Sequence, residues 1–299
     1  MLTCAAAIAT RDRPASLARL VGSLLAQTRR PRQIILVDDG ELGPDWRDEW
    51  SARCRDAGVE WVYRRKRPPG RSASRNVAAE LADADAIVFF DDDCEPAPDF
   101  LDKLMASLQH ERGAALIAVE GETRPPAGWR AGDRIYRVAS RLIGWWGLPL
   151  RAHRGGPWPQ GVAPRRMLDG VCAVRRSAFM HERFDEALTL GEDREFSIRL
   201  GRHGGLGRVA GAVCLHHQDP AGRVGQFALG LRIARCYLYA QGKLFGWRGR
   251  LCGAASLTGM AMLELGLTLG GRVGHAARSA GIVAGLFTPG GPRGERQTG

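Results

Sequence analysis

Asp91, Asp92 and Asp93 stand in a row at the end of an apolar run, Ala86–Phe90, and Pro96 and Pro98 follow at once. Adjacent carboxylates repel one another, so the arrangement costs stability unless a cation neutralises it. In an extended chain Asp91 and Asp93 point to one side and Asp92 to the other. Two carboxylates on one side make a hard-oxygen site for Mg²⁺ or Mn²⁺, which completes its shell with phosphate oxygens and water. The competing reading is an exposed acidic turn ahead of the next helix. Asp39, in Val37-Asp38-Asp39-Gly40, can accept the imide N–H of uracil or thymine, which adenine lacks. A turn or helix-cap role is its alternative. Arg71 closes a basic loop that starts at Arg64, and Arg75 follows it. A guanidinium is a fixed cationic fork that suits a diphosphate, although a solvated basic loop would look the same. A second acid pair, Glu192-Asp193, opens the stretch Glu192–Leu200, where a helix dipole alone favours acids.

These groups need a frame. Leu2–Ala9, Gln33–Asp38, Val59–Tyr63, Ile87–Asp91 and Ala115–Val119 are short apolar runs, the pattern of strands buried on both faces of a sheet. Between them Pro14–Thr28, Asp45–Ala57, Ser72–Leu81 and Phe100–Gln109 read as helices. Strand–helix alternation predicts an α/β fold, a Rossmann-like, mostly parallel sheet flanked by helices. Parallel strands bring Thr10-Arg11-Asp12, Asp38-Asp39, the Arg71 loop and the three aspartates to one edge, where open α/β sheets bind ligands. Further on, Leu168–Val174 reads as a strand containing Gly170, which lets a backbone approach a ligand. Val209–Leu215 reads as a last strand, ending in His216-His217. The segment Gly121–Arg166 interrupts the alternation with Trp129, Trp145, Trp146, Trp158 and nine arginines. Indoles such as Trp158 stack on sugar faces and arginines suit an anionic acceptor; a surface insert packing its own tryptophans is the equal alternative.

The bulk numbers narrow the class. The chain has 299 residues, 44% hydrophobic and 25% charged, an ordinary globular balance with room for one or two domains. Seven scattered cysteines contain no C-x-x-C, which argues against a disulfide framework or a zinc site and for a reducing, cytoplasmic compartment. The start, MLTCAAAIAT, reads as a first strand rather than a signal peptide. Net charge is +11, and +8 of it falls between Arg223 and Gly299. That division predicts a core domain over 1–220 and a basic, apolar helical extension over 221–299. Phe227–Phe245, Leu251–Gly270 and Ala276–Phe287 read as helices of that extension. Leu251–Gly270 is long enough to span a bilayer, but Glu264 at mid-depth would cost about 2.5–3.5 kcal/mol. The composition therefore points to helices lying on or partly in an anionic membrane surface.

The series TRDRP, VDDG, RSASRN, FFDDD and GEDREFSIRL, in this order and spacing, resembles family 2 of the inverting glycosyltransferases, which have the GT-A fold. The resemblance covers roughly residues 2–217. It implies that Thr10, Arg11 and Asp39 hold the nucleotide base and ribose. Arg75, with Arg71, would face the diphosphate or donor sugar. Asp91 and Asp93, with Asp92 between them facing the nucleotide, would form the metal-binding DxD. His216, rather than His217, resembles the third metal ligand. Asp193 would be the general base that takes the acceptor hydroxyl's proton, and Glu192 an acceptor contact beside Trp158 and Gly170. The implied donor is a nucleotide-diphosphate sugar of UDP or dTDP type, and the acceptor a glycan or lipid-linked hydroxyl.

Other classes fit less well. No G-x-G-x-x-G follows the first strand, and no Walker A lysine loop or glycine-rich nucleotidyltransferase loop is present. The Q-x-x-R-W pattern of processive synthases is missing after Gln226, so single-sugar transfer is expected. An inert sugar-nucleotide-binding module would need no Glu192-Asp193 pair. Nucleic-acid binding is disfavoured because the tail charge is mixed with apolar helices rather than exposed stacking aromatics.

Overall fold

A computed structural model of the chain describes residues 1–109, 116–125, 158–217, 219, 224–269 and 274–288. The chain divides into two compact units. The first, residues 1–127, 151–186 and 196–221, is built on one sheet. Strands β1 (Cys4–Thr10), β2 (Gln33–Asp38), β3 (Glu60–Arg65) and β4 (Ala86–Asp91) alternate with helices α1 (Pro14–Leu25), α2 (Pro44–Asp56) and α3 (Arg71–Glu80). The order β3-β2-β1-β4 is parallel throughout, as the apolar runs predict.

Successive residues of a strand face opposite sides, and β4 shows what that does. Val88 and Phe90 join a core with Leu17, Leu20 and Leu24 of α1 and with Phe100 and Leu104. Ile87 and Phe89 join another with Ala78, Ala79, Phe179 and Phe196. Each fully buried phenylalanine contributes roughly 1.5–3 kcal/mol. The second core is knitted by aromatic contacts, with Phe89 edge-on to Phe184 at 5.1 Å and Phe184 stacked on Phe196 at 4.3 Å.

Beyond β4 the sheet becomes mixed. β5 (Cys94–Pro96), α4 (Phe100–Gln109), β6 (Leu116–Arg124), β7 (Val162–Arg165), β8 (Cys172–Arg175), α5 (Arg176–Phe179), α6 (Glu192–Leu200) and β9 (Gly205–His216) complete the order β3-β2-β1-β4-β8-β6-β9-β5. β8 runs antiparallel to both β4 and β6, β6 and β9 are parallel, and β5 and β7 pair antiparallel with β9. The expected strand Leu168–Val174 is shorter than its apolar pattern. The Leu168 amide donates to Ser197 Oγ and the Asp169 amide to Glu120 Oε2, so side chains take the donors a ladder would use. Gly170 therefore sits in a bend before β8, not in a strand. β9 passes an irregularity near Gly211, whose φ is +73°, and continues to set His216 opposite Cys94. A bulge of this kind re-aims the strand beyond it.

The second unit comprises residues 128–150, 187–195 and 222–299. Its described helices are α7 (Gln226–Leu269) and α8 (Gly274–Phe287). Gly246, at φ 67° and ψ −152°, breaks α7 into two arms, and only glycine adopts that conformation without strain. The arms fold back on each other. Ala234 and Leu257 share a buried cluster with Ala261 and Ile282, and a Cβ on Gly249 would stand 2.3 Å from the Gln241 carbonyl oxygen. By length and composition α7 could cross a membrane.

Candidate functional site

The three aspartates take different partners as β4 ends at Asp91 and the chain turns through Asp92 and Asp93. Asp91, the last residue of β4, accepts a hydrogen bond from Arg75 Nη2 at 2.7 Å. Burial opposes its ionisation, but Arg75, Arg71 and His216 outweigh it and hold its carboxyl below the usual range. Asp92 turns the other way, accepting from Thr10 Oγ1 at 2.8 Å and from Arg13 Nη1 at 3.0 Å. Burial pushes its carboxyl up against those two donors. Asp93 lies 3.0 Å from His216 Nε2 and accepts the Asp219 amide at 2.9 Å. His217, one residue on, pairs instead with Glu95 at 2.7 Å. The structure thus tells the adjacent histidines apart.

Among the described residues, Asp93, Cys94 and His216 offer ligand atoms within 4.8 Å of one another. A carboxylate oxygen and an imidazole nitrogen suit Mg²⁺ or Mn²⁺. Cys94 does not, because its contact with Cys214 and its burial push the thiol up and keep it protonated. Asp91 stands outside that group of three, drawn toward Arg75.

Arg75 is 2% exposed, lies 5.4 Å from the Phe184 ring and is committed to Asp91. It occupies the buried face of α3 with Ser72, Ser74 and Asn76. Arg71 opens the same helix and is exposed. Asp39 is also buried. It accepts from the Gly70 amide at 2.9 Å and Ser74 Oγ at 2.8 Å, and Lys66 Nζ lies 3.2 Å away. Its carboxylate ties the end of β2 to the start of α3. Asp38 beside it accepts from the Gly40 and Leu42 amides and from Tyr63 Oη, at 2.7, 2.9 and 2.8 Å, and so shapes the turn.

The loop after β1 is fixed to that turn. Asp12 has a positive φ of 55°, and its Oδ1 accepts the Glu41 amide at 3.0 Å. A Cβ on Gly40 would stand 2.2 Å from that oxygen. Arg11 remains half-exposed beside Asp12, while Arg13 reaches Asp92, with Asp93 at 3.8 Å. Sequence reasoning passed over Arg13 and Lys66, although both stand inside motifs it used, TRDRP and the basic loop.

The acid pair opens α6 as predicted. Glu192 is buried, whereas Asp193 is partly exposed and accepts the Arg194 amide at 2.8 Å. Within the second unit, buried Glu195 meets Lys243 Nζ at 2.9 Å and Thr189 Oγ1 meets Cys236 Sγ at 3.6 Å. The segment that carries Asp193 is thereby tied to the first arm of α7. Gly170 lies in a loop held by Glu120, whose buried carboxylate also meets Arg208 at 2.5 Å. Trp158 packs against the core beside Gly207. Trp129, Trp145 and Trp146 lie outside the described residues.

Comparison with known proteins supplies the context. A sequence model of glycosyl transferase family 2 matches residues 6–186. The O-antigen biosynthesis protein RfbC of Myxococcus xanthus is 27% identical over 227 residues, 71% of this chain and 17% of that protein. Hyaluronan synthase of Pasteurella multocida is 26% identical over 257 residues, 72% of this chain and 24% of that protein. The chain thus spans a minor part of these relatives. Among solved structures, the mannosyltransferase PcManGT from Pyrobaculum calidifontis, in complex with GDP-Man and Mn²⁺, superposes with a TM-score of 0.60 at 17% identity, covering 96% of this chain and 87% of that one. S. aureus TarS 1-349 in complex with UDP gives 0.55 at 13% identity, covering 95% and 89%. The fold is GT-A. With the family match spanning more than half of its residues, the chain belongs to glycosyl transferase family 2.

Proposed function

We propose that the chain transfers one sugar from a nucleotide-diphosphate sugar to an acceptor hydroxyl, with inversion at the anomeric carbon. The observation that carries this reading is His216 held 3.0 Å from Asp93, two residues past a strand end whose Asp91 is kept ionised by Arg75. The nucleotide sugar and Mn²⁺ in the description of PcManGT, and the UDP in that of TarS, support the donor class.

The residues take these parts. Mg²⁺ or Mn²⁺, held by Asp93 and His216 with Asp91 beside them, would lend positive charge to the departing diphosphate. Arg71, at the exposed start of α3, binds a phosphate oxygen where helix amides and dipole already favour an anion. Arg75 holds Asp91 through Nη2 and, with it, sets the charge beside the diphosphate. Thr10 and Arg13 orient Asp92, and Arg11 with the Asp39 turn seats ribose and base. Asp193 takes the acceptor hydroxyl's proton as that oxygen attacks the anomeric carbon, and the sugar–phosphate bond breaks with its electron pair leaving on the diphosphate. The acceptor approaches along the bend at Gly170, and buried Glu192 steadies the start of α6. The basic extension, 221–299, brings the enzyme to the anionic cytoplasmic face of a membrane, where a glycan or lipid-linked acceptor is presented.

Asp93→Asn tests the centre of this assignment. Calorimetric titration with UDP-, dTDP- and GDP-sugars, with Mn²⁺ and with chelator, should show Mn²⁺-dependent binding in the wild type. The variant should lose that dependence while keeping its circular dichroism. Unchanged Mn²⁺-dependent affinity would sink the metal role.

A further inference from the structure

The helices of the second unit distribute their residues in reverse. Along the second arm of α7, Trp247, Leu251, Ala255, Thr258, Met262 and Leu265 are exposed, at the three- and four-residue spacing that aligns side chains on one helix face. None is charged, and the Thr258 hydroxyl donates to the Ala254 carbonyl at 3.0 Å, so this face asks nothing of water. On α8, Ala280, Val283 and Phe287 are exposed. Exposure reaches 68% at Trp247 and 69% at Met262. Beyond the Gly246 turn, past Arg248 and Arg250, the charged and several polar side chains of the second arm and α8 are turned inward. Glu264 is 0% exposed; Arg278 Nη1 donates to it at 3.1 Å and His275 Nδ1 meets its other oxygen. Ser279 Oγ donates to the Ala261 carbonyl at 2.9 Å, and Gln241 and Ser256 are buried.

A water-facing helix shows charge outside and carbon inside. Apolar faces turned outward, with paired ionisable groups turned in, are the arrangement hydrocarbon imposes. Helix contacts of the second unit agree. A Cβ on Gly230 would stand 2.1 Å from the Arg278 carbonyl oxygen, and one on Gly281 equally close to that of Phe227. Such small-residue approach is the commoner device where no hydrophobic force joins helices. The arm after Gly246 has enough residues, through Leu269, to run about 35 Å, so its uncharged stripe offers hydrocarbon a long continuous face. At the turn, Arg248 lies 5.4 Å from the Trp247 ring and Arg250 is exposed, an aromatic and two cations of the kind that anchor at headgroups.

We propose that the second arm of α7 and α8 are embedded in the hydrocarbon of an anionic bilayer, with the Gly246 turn at a headgroup layer. This rests on the membrane attachment proposed above and differs from it in depth. The inward pairing of Glu264 also removes the cost that argued for a surface position, because no unpaired carboxylate faces lipid.

The test uses the full chain and vesicles of phosphatidylcholine with phosphatidylglycerol. The wild type should stay in the vesicle pellet through about 1 M salt, which screens surface charge, and through alkaline carbonate. A photo-crosslinking residue at position 262 should capture lipid acyl chains. Met262→Asp with Leu265→Asp should cut the carbonate-resistant fraction by at least about tenfold. Release of the wild type by salt would overturn embedding and leave surface attachment standing. No binding to any vesicle would overturn both. Crosslinking of position 262 to a second copy would assign the stripe to a protein interface and overturn the lipid assignment.

Discussion

The two compact units bury opposite kinds of side chain. In the sheet unit Phe89, Phe90, Phe100 and Phe179 are inside, and the carboxylates gather at a strand end. In the helical unit Glu264 and Gln241 are inside while Met262 and Phe287 are out. Each holds an ion pair with one fully buried partner, Arg75 on Asp91 and Glu264 on Arg278, yet the pairs stand for different things. The first belongs to a ligand edge in a fold that keeps carbon from water. The second, with His275 on the other Glu264 oxygen, sits beneath helix faces that carry no charge. A buried pair says little until the faces around it are read.

The sharpest separation of the units is at Asp193. Asp193→Asn should slow transfer by about 10²–10⁴-fold, the usual effect of losing a general base, while donor and Mn²⁺ binding stay near normal. Single-turnover rates and titrations read the two independently, and NMR of the product linkage should show inversion from an α-linked donor. Near wild-type turnover, or a retained anomer, would refute the assignment.

Arg278→Met comes next. Removing one partner of a buried pair costs about 3–5 kcal/mol, whereas replacing both by apolar groups is near neutral. The single variant should therefore melt well below the wild type in detergent, and Arg278→Met with Glu264→Leu should recover most of the loss. A double variant as unstable as the single one would assign the stability to the Glu264–His275 contact rather than to the pair with Arg278.

The smallest effect is a pH dependence confined to the sheet unit. Burial opposes ionisation of Glu182, but its contacts with His203 and Arg199 outweigh it and hold the carboxyl below its usual range. A depressed folded value contributes stability above the unfolded value of about 4.3, and that stability is lost as pH falls through the folded one. Relative to Glu182→Gln, the wild type should lose about 1 kcal/mol or less on acidification below about pH 5. Parallel melting curves for the two proteins across that range would remove the contribution.

What the sequence could show follows from how far each signal reaches. β1, β2 and β4 were legible because strands buried on both faces are continuous apolar runs. β5 and β7 were not, because three or four residues, each including a proline, leave no period to read. The Asp91/Asp92 alternation needed only local geometry. His216 against His217 needed the register of β9 on β5, set by an irregularity near Gly211. The motif points Arg75 toward a diphosphate, and only the fold shows that Asp91 shares its guanidinium. Glu264 looked like an isolated charge because its partner lies fourteen residues on, beyond a helix break.

Asp12 and Gly40 constrain each other sterically. Any side chain at position 40 would displace the Asp12 carboxylate and release the Glu41 amide it holds. The next residue after Asp12 is Arg13, which grips Asp92. A single-base change in the Gly40 codon would therefore reach the aspartate run through two short links, without touching a ligand-bearing residue. A directed-evolution library aimed at donor choice therefore does best to leave position 40 as glycine while varying position 12.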